Sequence, residues 1–313
     1  KGRDWLGAWQ WPLPNEKRTD YYFGAGTSGT VKSVNDGLLS TIAPIAATTK
    51  DDYKVDYTVR SAETNPPGDP NAMPLDVSNF DEKGLTYTTQ PLASDTEVTG
   101  HSLVRLWATS TAKDSDFFVF LRDVDEKGVS TVVSRGQLRA SHRAISTPPY
   151  SYFGLPWHRS NKEDLMDLPG GQAVEVAIDL LPTSYIFRAG HRIRVTITGA
   201  DEDTGGTPVI VPAPTVSVYR NSINASSITL PIIPPGSAPA AAKCTVSATG
   251  NYATMAALDR NFDAHVRAWQ AAAGSSRAGD WTEFREHEKR ITGAGAAGSG
   301  LDLGPNPPAM FCQ

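Results

Sequence analysis

Basic charge is in short supply in this sequence: 29 Lys and Arg stand against 34 Asp and Glu, a net charge of -5. The cations are scattered rather than clustered, so the field that a phosphate backbone rewards is missing and nucleic acid is excluded as an expected partner. Long apolar runs are missing too. None approaches the roughly 20 residues that cross a bilayer, and the richest stretches are broken by Pro208, Pro212, Pro214 and Pro231, which excludes membrane insertion. Cysteine is nearly absent, with Cys244 and Cys312 alone. A bridge between them would staple a small C-terminal unit in an oxidising compartment, and two lone buried thiols are the other reading. The compartment stays open, leaning to a secreted or periplasmic one, because the glycosylation triplet Asn224-Ala225-Ser226 occurs too often by chance to decide it. Methionine is scarce as well: the chain opens on Lys1 and Met73 is the first. The expectation is a processed product or a fragment, with anything encoded upstream out of view.

What the sequence has is β-forming alternation. At 313 residues it can bury a sizeable core. From about residue 20 to 233, short runs rich in Val, Thr, Tyr, Phe and Ile recur between turn residues: "DYKVDYTV", "LTYTTQPL", "TEVTGHSLVRLWATS", "SDFFVFLRDV", "STVVSRGQLRASHR", "AVEVAIDLL", "HRIRVTITG" and "PTVSVYRN". No strand-helix-strand rhythm interrupts them, which predicts an all-β sandwich over 20–235. "DEKG" at 125–128 reads as a hairpin turn with Gly128 at positive φ, while "LPGG" and "RAG" lead into the next strands. The Pro-rich stretch between Arg60 and Gly84 reads as a long ordered loop or crossover. Residues 1–19 read as a linking segment and 236–250 as a second linker. Residues 251–292 read as a helical hairpin with a stripe of Met255, Leu258, Phe262, Val266 and Trp269, and 293–313 as a Gly/Ala/Pro-rich tail.

The familiar catalytic signatures are not there. No G-x-S-x-G nucleophile turn occurs. "GAGTSGT" at 24–30 lacks the frame, and Ser110-Thr111-Ala112-Lys113 ends a strand where a serine and lysine cannot share a helical turn. Six histidines, at 101, 142, 158, 191, 265 and 287, show no metal-ligand spacing, so neither metal nor cofactor is expected. Acidic clusters at Asp123, Asp125 and Glu126, and at Asp201, Glu202 and Asp203, read as solvated turns.

Three places hold candidate surface residues. Trp5, Trp9 and Trp11 would seal the sandwich, join it to a preceding domain, or stack on sugar. "PPYSYFGLPWHRS", with Trp157 and His158, makes 144–167 the most site-like loop. In "AGHRIRVTITG", Ile193, Val195 and Ile197 alternate with Arg192, Arg194, Thr196 and Thr198. The apolar phase enters the core, and the arginines are expected on the sheet surface, paired with carboxylates such as Asp116, Asp123 or Asp179.

"LTYTTQPLASDTEVTGHSLVRLWATSTAKDSDFFVFLRDVDEKG", "GQLRASHR" and "DLLPTSYIFRAGHRIRVTITGAD" carry a resemblance through most of residues 5–235. They resemble the C-terminal domain of the X-Pro dipeptidyl-peptidase family, shared with cocaine esterase and α-amino acid ester hydrolases. "WPLP" at 11–14 resembles the segment that joins the two domains of that family. The resemblance implies a jelly-roll β-sandwich, galactose-binding-domain-like, beside an α/β-hydrolase domain that carries the serine, aspartate and histidine of the triad. No triad position falls within this chain, so His191 and His158 are not promoted to that role. The expected partner is that hydrolase domain, on the same parent or on a separate chain, with a homo-oligomer as a further expectation. An autonomous carbohydrate- or partner-binding module is the alternative. Residues 236–313 depart from the family pattern.

Overall fold

The computed structural model describes residues 11–60, 78–202 and 207–237. Two compact units divide the chain, and apart from Trp11 the described residues belong to the unit Pro12–Ala238. Trp5, Trp9, Cys244, Cys312, the expected hairpin at 251–292 and the tail lie outside the described residues.

Thirteen strands form one hydrogen-bonded ladder among the described residues: β1 (Lys17–Gly24), β2 (Gly37–Ser40), β3 (Lys50–Lys54), β4 (Leu85–Thr88), β5 (Thr96–Gly100), β6 (Leu103–Ser110), β7 (Asp116–Val124), β8 (Ser130–Arg139), β9 (Val174–Asp179), β10 (Thr183–Phe187), β11 (Arg192–Thr198), β12 (Thr215–Tyr219) and β13 (Ser227–Ile233). A five-residue helix, α1 (Ser78–Glu82), is the α-helix among them. The path runs β3-β12-β6-β13-β1-β2-β4-β11-β7-β8, with β9 on β6, and β5 between β13 and β10. Every pairing is antiparallel except β2 with β4. This is the all-β jelly-roll architecture.

The two halves of the ladder share one core. Phe23, Tyr87, Leu121 and Val195 from one half pack with Leu106, Val176, Val218 and Leu230 from the other. Phe23 and Tyr87 stack with centroids 4.1 Å apart. The β7–β8 hairpin forms as its turn residues dictate: Asp125 Oδ1 accepts the N–H groups of Lys127 and Val129, both at 2.8 Å, and Gly128 takes φ of 85°.

Several elements depart from the sequence pattern. "TEVTGHSLVRLWATS" forms two strands, because Gly100 at φ of 143° breaks the extended run and sends β5 and β6 to different neighbours. Strand β13 is buried on nearly every residue and contains Pro231, so it shows no period-two alternation. Its pairing with β1, from Lys17 opposite Ile232 to Tyr22 opposite Ser227, closes the centre of the ladder. Helix α1 falls within the stretch between Arg60 and Gly84, where the sequence pattern shows no helix.

Candidate functional site

Strand β11 holds Ile193, Val195 and Ile197 in the core, as its alternation demands. Its other face is also out of water: Arg194, Thr196 and Thr198 are buried. The cover is α1 with the loop around Thr30 and Ser33. The surface ion pairs expected for Arg194 with Asp116, Asp123 or Asp179 are therefore not formed. Instead Arg194 Nη1 meets Asp81 Oδ2 at 2.6 Å, its Nε donates to Thr88 Oγ1 at 3.0 Å and its Nη2 to Thr30 Oγ1 at 2.9 Å. Arg122 Nε lies 3.1 Å from the other oxygen of Asp81, and its guanidinium sits over Phe80 and Phe120. Burial pulls Arg122 down to about 10 against the opposing pull of Asp81.

The three expected carboxylate partners have other work. Asp116 forms a two-pronged pair with Arg139, both bonds at 2.9 Å. Asp123 accepts from Tyr185 Oη at 2.7 Å and lies 2.9 Å from His191 Nδ1, so His191 is held in a histidine-aspartate-tyrosine cluster joining β7, β10 and the start of β11. Asp179 accepts from Tyr152 Oη at 3.1 Å. Arg192 donates to the Thr89 carbonyl at 2.9 Å.

Asp81 and Arg122 went unread in the sequence. A signal was available for Arg122: "FFVFL" is apolar on both phases, which marks a strand covered on both faces and makes a following arginine a buried one. Nothing comparable marks Asp81.

The loop at 144–167 is built on a different principle. His158 is its anchor, with Nδ1 3.2 Å from the Ala144 carbonyl and Nε2 2.9 Å from the Ala177 carbonyl of β9. Trp157 receives Tyr150 and Tyr152 edge-on, at 5.3 and 5.0 Å between centroids. Burial first, and the Asp179 carboxylate second, push the Tyr152 phenol up to about 12. Beside the loop two cavities run along β8 and share Phe118 and Gln137. One, of about 310 Å³, is lined by Asp116, Arg139, His142, Ser160 and Thr207. The other, of about 470 Å³, is lined by His101, Phe120, Arg135, Tyr152, Asp179 and Leu181. Trp11 is partly exposed. The structure thus brings Trp157 and His158 together, leaves Arg194 in a separate buried network with Asp81 and Arg122, and holds half-buried Arg192 on the Thr89 carbonyl.

Residues 1–250 match the profile of the X-Pro dipeptidyl-peptidase C-terminal non-catalytic domain. The chain belongs to this family. A Mycobacterium bovis protein described as a serine esterase is 40% identical over 241 residues, covering 74% of this chain and 36% of that protein. The cocaine esterase of a Rhodococcus species is 28% identical over 258 residues, covering 74% and 40%. The chain thus spans 36% to 40% of the length of these two relatives. Among solved structures, a CocE/NonD family hydrolase from Staphylococcus aureus matches with a TM-score of 0.52 at 22% identity, covering 72% of this chain and 38% of that one. An aminopeptidase from a Thaumarchaeota archaeon gives the same TM-score at 20% identity and the same coverage. At such identities these two structures speak to the fold.

Proposed function

We propose that this chain is the non-catalytic β-sandwich portion of a serine hydrolase of the X-Pro dipeptidyl-peptidase and cocaine esterase kind. It packs on an α/β-hydrolase domain and shapes the acyl pocket from outside. The observation that carries this reading is the family match over residues 1–250, in a chain that spans about two-fifths or less of its relatives. In the parent, ester or amide cleavage proceeds through a serine acyl-enzyme, with proton transfer by histidine and an oxyanion hole. The interior of the sandwich supports a scaffold role: His191 stands on Asp123 as a catalytic imidazole would, but the third group of its cluster is the Tyr185 phenol.

The carbohydrate-module alternative calls for a flat row of aromatic rings. Tyr150, Tyr152 and Trp157 meet at 73° to 75°, an arrangement that fills space rather than offering a stacking plane.

The test uses the chain produced alone, given p-nitrophenyl acetate, a Gly-Pro anilide and a fluorophosphonate probe. The expected result is no turnover above a heat-killed control and no labelled serine, with labelling confined to the catalytic part of the parent. A fluorophosphonate adduct on any serine of residues 1–313 would overturn the proposal.

A further inference from the structure

Exposed apolar side chains gather at opposite ends of strand β1. At the Gly24 end, Tyr22 pairs with Ser40 and Ser227, and the loops that follow and precede those residues carry exposed Ile42, Ile45 and Ile223. The backbone ties these loops together, with Ser222 N–H donating to the Ala46 carbonyl at 2.8 Å. At the Lys17 end, about 24 Å away at the rise of an extended strand, Arg18 pairs with Pro231. Gly100 packs so closely there that an added Cβ would lie 2.8 Å from Pro231 and 3.0 Å from Glu16 Oε2. His101 follows and stacks on Phe153 at 6.0 Å. Thr183 pairs with Gly100, which brings Leu181 and Pro182 to the same place.

The aromatic loop and the larger cavity therefore lie beside the point where the chain enters the sandwich through Asn15 and Glu16. Tyr150 is 56% exposed, Phe153 43% and Leu181 60%. Phe153 holds this position at φ of 55°, a left-handed conformation unusual for an aromatic residue. Charged groups in and beside the groove have partners within the domain: Asp116 pairs with Arg139 and Arg159 with Asp164, Asp179 accepts from the Tyr152 hydroxyl, and Arg135 also lines the larger cavity. Such a surface suits an apolar partner better than a charged one.

We infer that the groove along β8, with Tyr150, Phe153 and Leu181 at its rim, is the face on which the preceding hydrolase domain docks through an apolar surface. The inference rests on the function proposed above and adds which side of the sandwich is used. A domain tethered at Asn15 starts next to this groove, and the exposed isoleucines lie a strand-length farther off.

Hydrogen exchange tests it, comparing the full-length protein with the chain of residues 1–313. The expected result is exchange about tenfold or more slower at amides 150–158 and 181 in the full-length protein, with amides 41–46 and 222–225 unchanged. In the full-length protein, Tyr150→Asp with Phe153→Asp and Leu181→Asp should return the protected amides to the rates of the isolated chain. Ile223→Asp should not. Protection at 41–46 and 222–225 alone overturns the choice of face and leaves the proposed function standing. Protection of 150–158 that appears in the isolated chain and grows with its concentration assigns the groove to a second copy and overturns the inference. A native protein with no hydrolase portion overturns the proposed function itself.

Discussion

Arg194 and Asp81 form an ion pair at 2.6 Å in which neither side chain reaches water. Arg122 shares the same carboxylate, so two guanidinium groups in the sandwich meet at Asp81. Removing one partner of a buried pair leaves an uncompensated charge, and here one substitution strands two.

Asp81→Ala is therefore expected to destabilise the domain by about 3–5 kcal/mol, read from the urea midpoint of the isolated chain. Lys113 and Asp167 form an exposed pair at 3.2 Å, and Lys113→Ala should cost less than about 1 kcal/mol. Equal shifts for the two would contradict the buried-network account.

Alkaline pH probes Tyr152. Its folded pKa, raised to about 12 from an ordinary 10, means the unfolded chain loses the proton first. Its contribution to stability is thus complete below pH 10 and is lost as pH rises toward 12. Tyr152→Phe should flatten the fall in stability across that window, measured by denaturant titration at successive pH values. An unchanged slope would remove Asp179 and burial as the cause.

Tyr87 is buried and donates from its hydroxyl to Asp51 Oδ2 at 2.8 Å, and the Arg220 guanidinium holds the same carboxylate. Burial first, and Asp51 second, raise the phenol well above its usual range. Tyr87→Phe keeps the stack on Phe23 and removes the hydroxyl that donates to Asp51, for an expected loss of about 1–2 kcal/mol. Tyr87→Ala also empties the ring's space and should cost about 3–5 kcal/mol. Differential scanning calorimetry of the two variants distinguishes the contributions.

His191→Phe separates scaffold from chemistry. It breaks the contact with Asp123 and leaves Tyr185 as that carboxylate's donor. The expected outcome is a stability loss of about 1–2 kcal/mol, with kcat of the full-length enzyme held within about twofold. A kcat reduced by orders of magnitude in a folded protein would place His191 in the reaction.

Much of the sandwich was legible because its information is local. The alternation of β11 assigns Ile193, Val195 and Ile197 to the core, and Asp125 with Gly128 specifies the β7–β8 turn. Alternation states which residues share a face, but not whether water or protein covers that face. The second face of β11 is covered by α1, and Asp81 lies 113 residues from Arg194, a separation that no period spans. The same limit hid β13, whose partner β1 lies more than two hundred residues earlier and whose burial on both sides erases the pattern. The loop at 144–167 was legible as a special stretch from its aromatic content. The roles of its members were not, since His158 turns its ring nitrogens toward two backbone carbonyls while Tyr150 and Phe153 stay outside.

Asn15, where the chain enters the sandwich, donates from its side chain to the carbonyl of Ser237, where the chain leaves it. A fold whose two strand-bearing ends touch asks for no span of linker, so it can be spliced into a hairpin of an unrelated host without prising that hairpin open. The same closeness makes residues 15–237 a natural subject for circular permutation, with a peptide joining Ser237 to Asn15 and new ends cut at the Lys127–Gly128 turn.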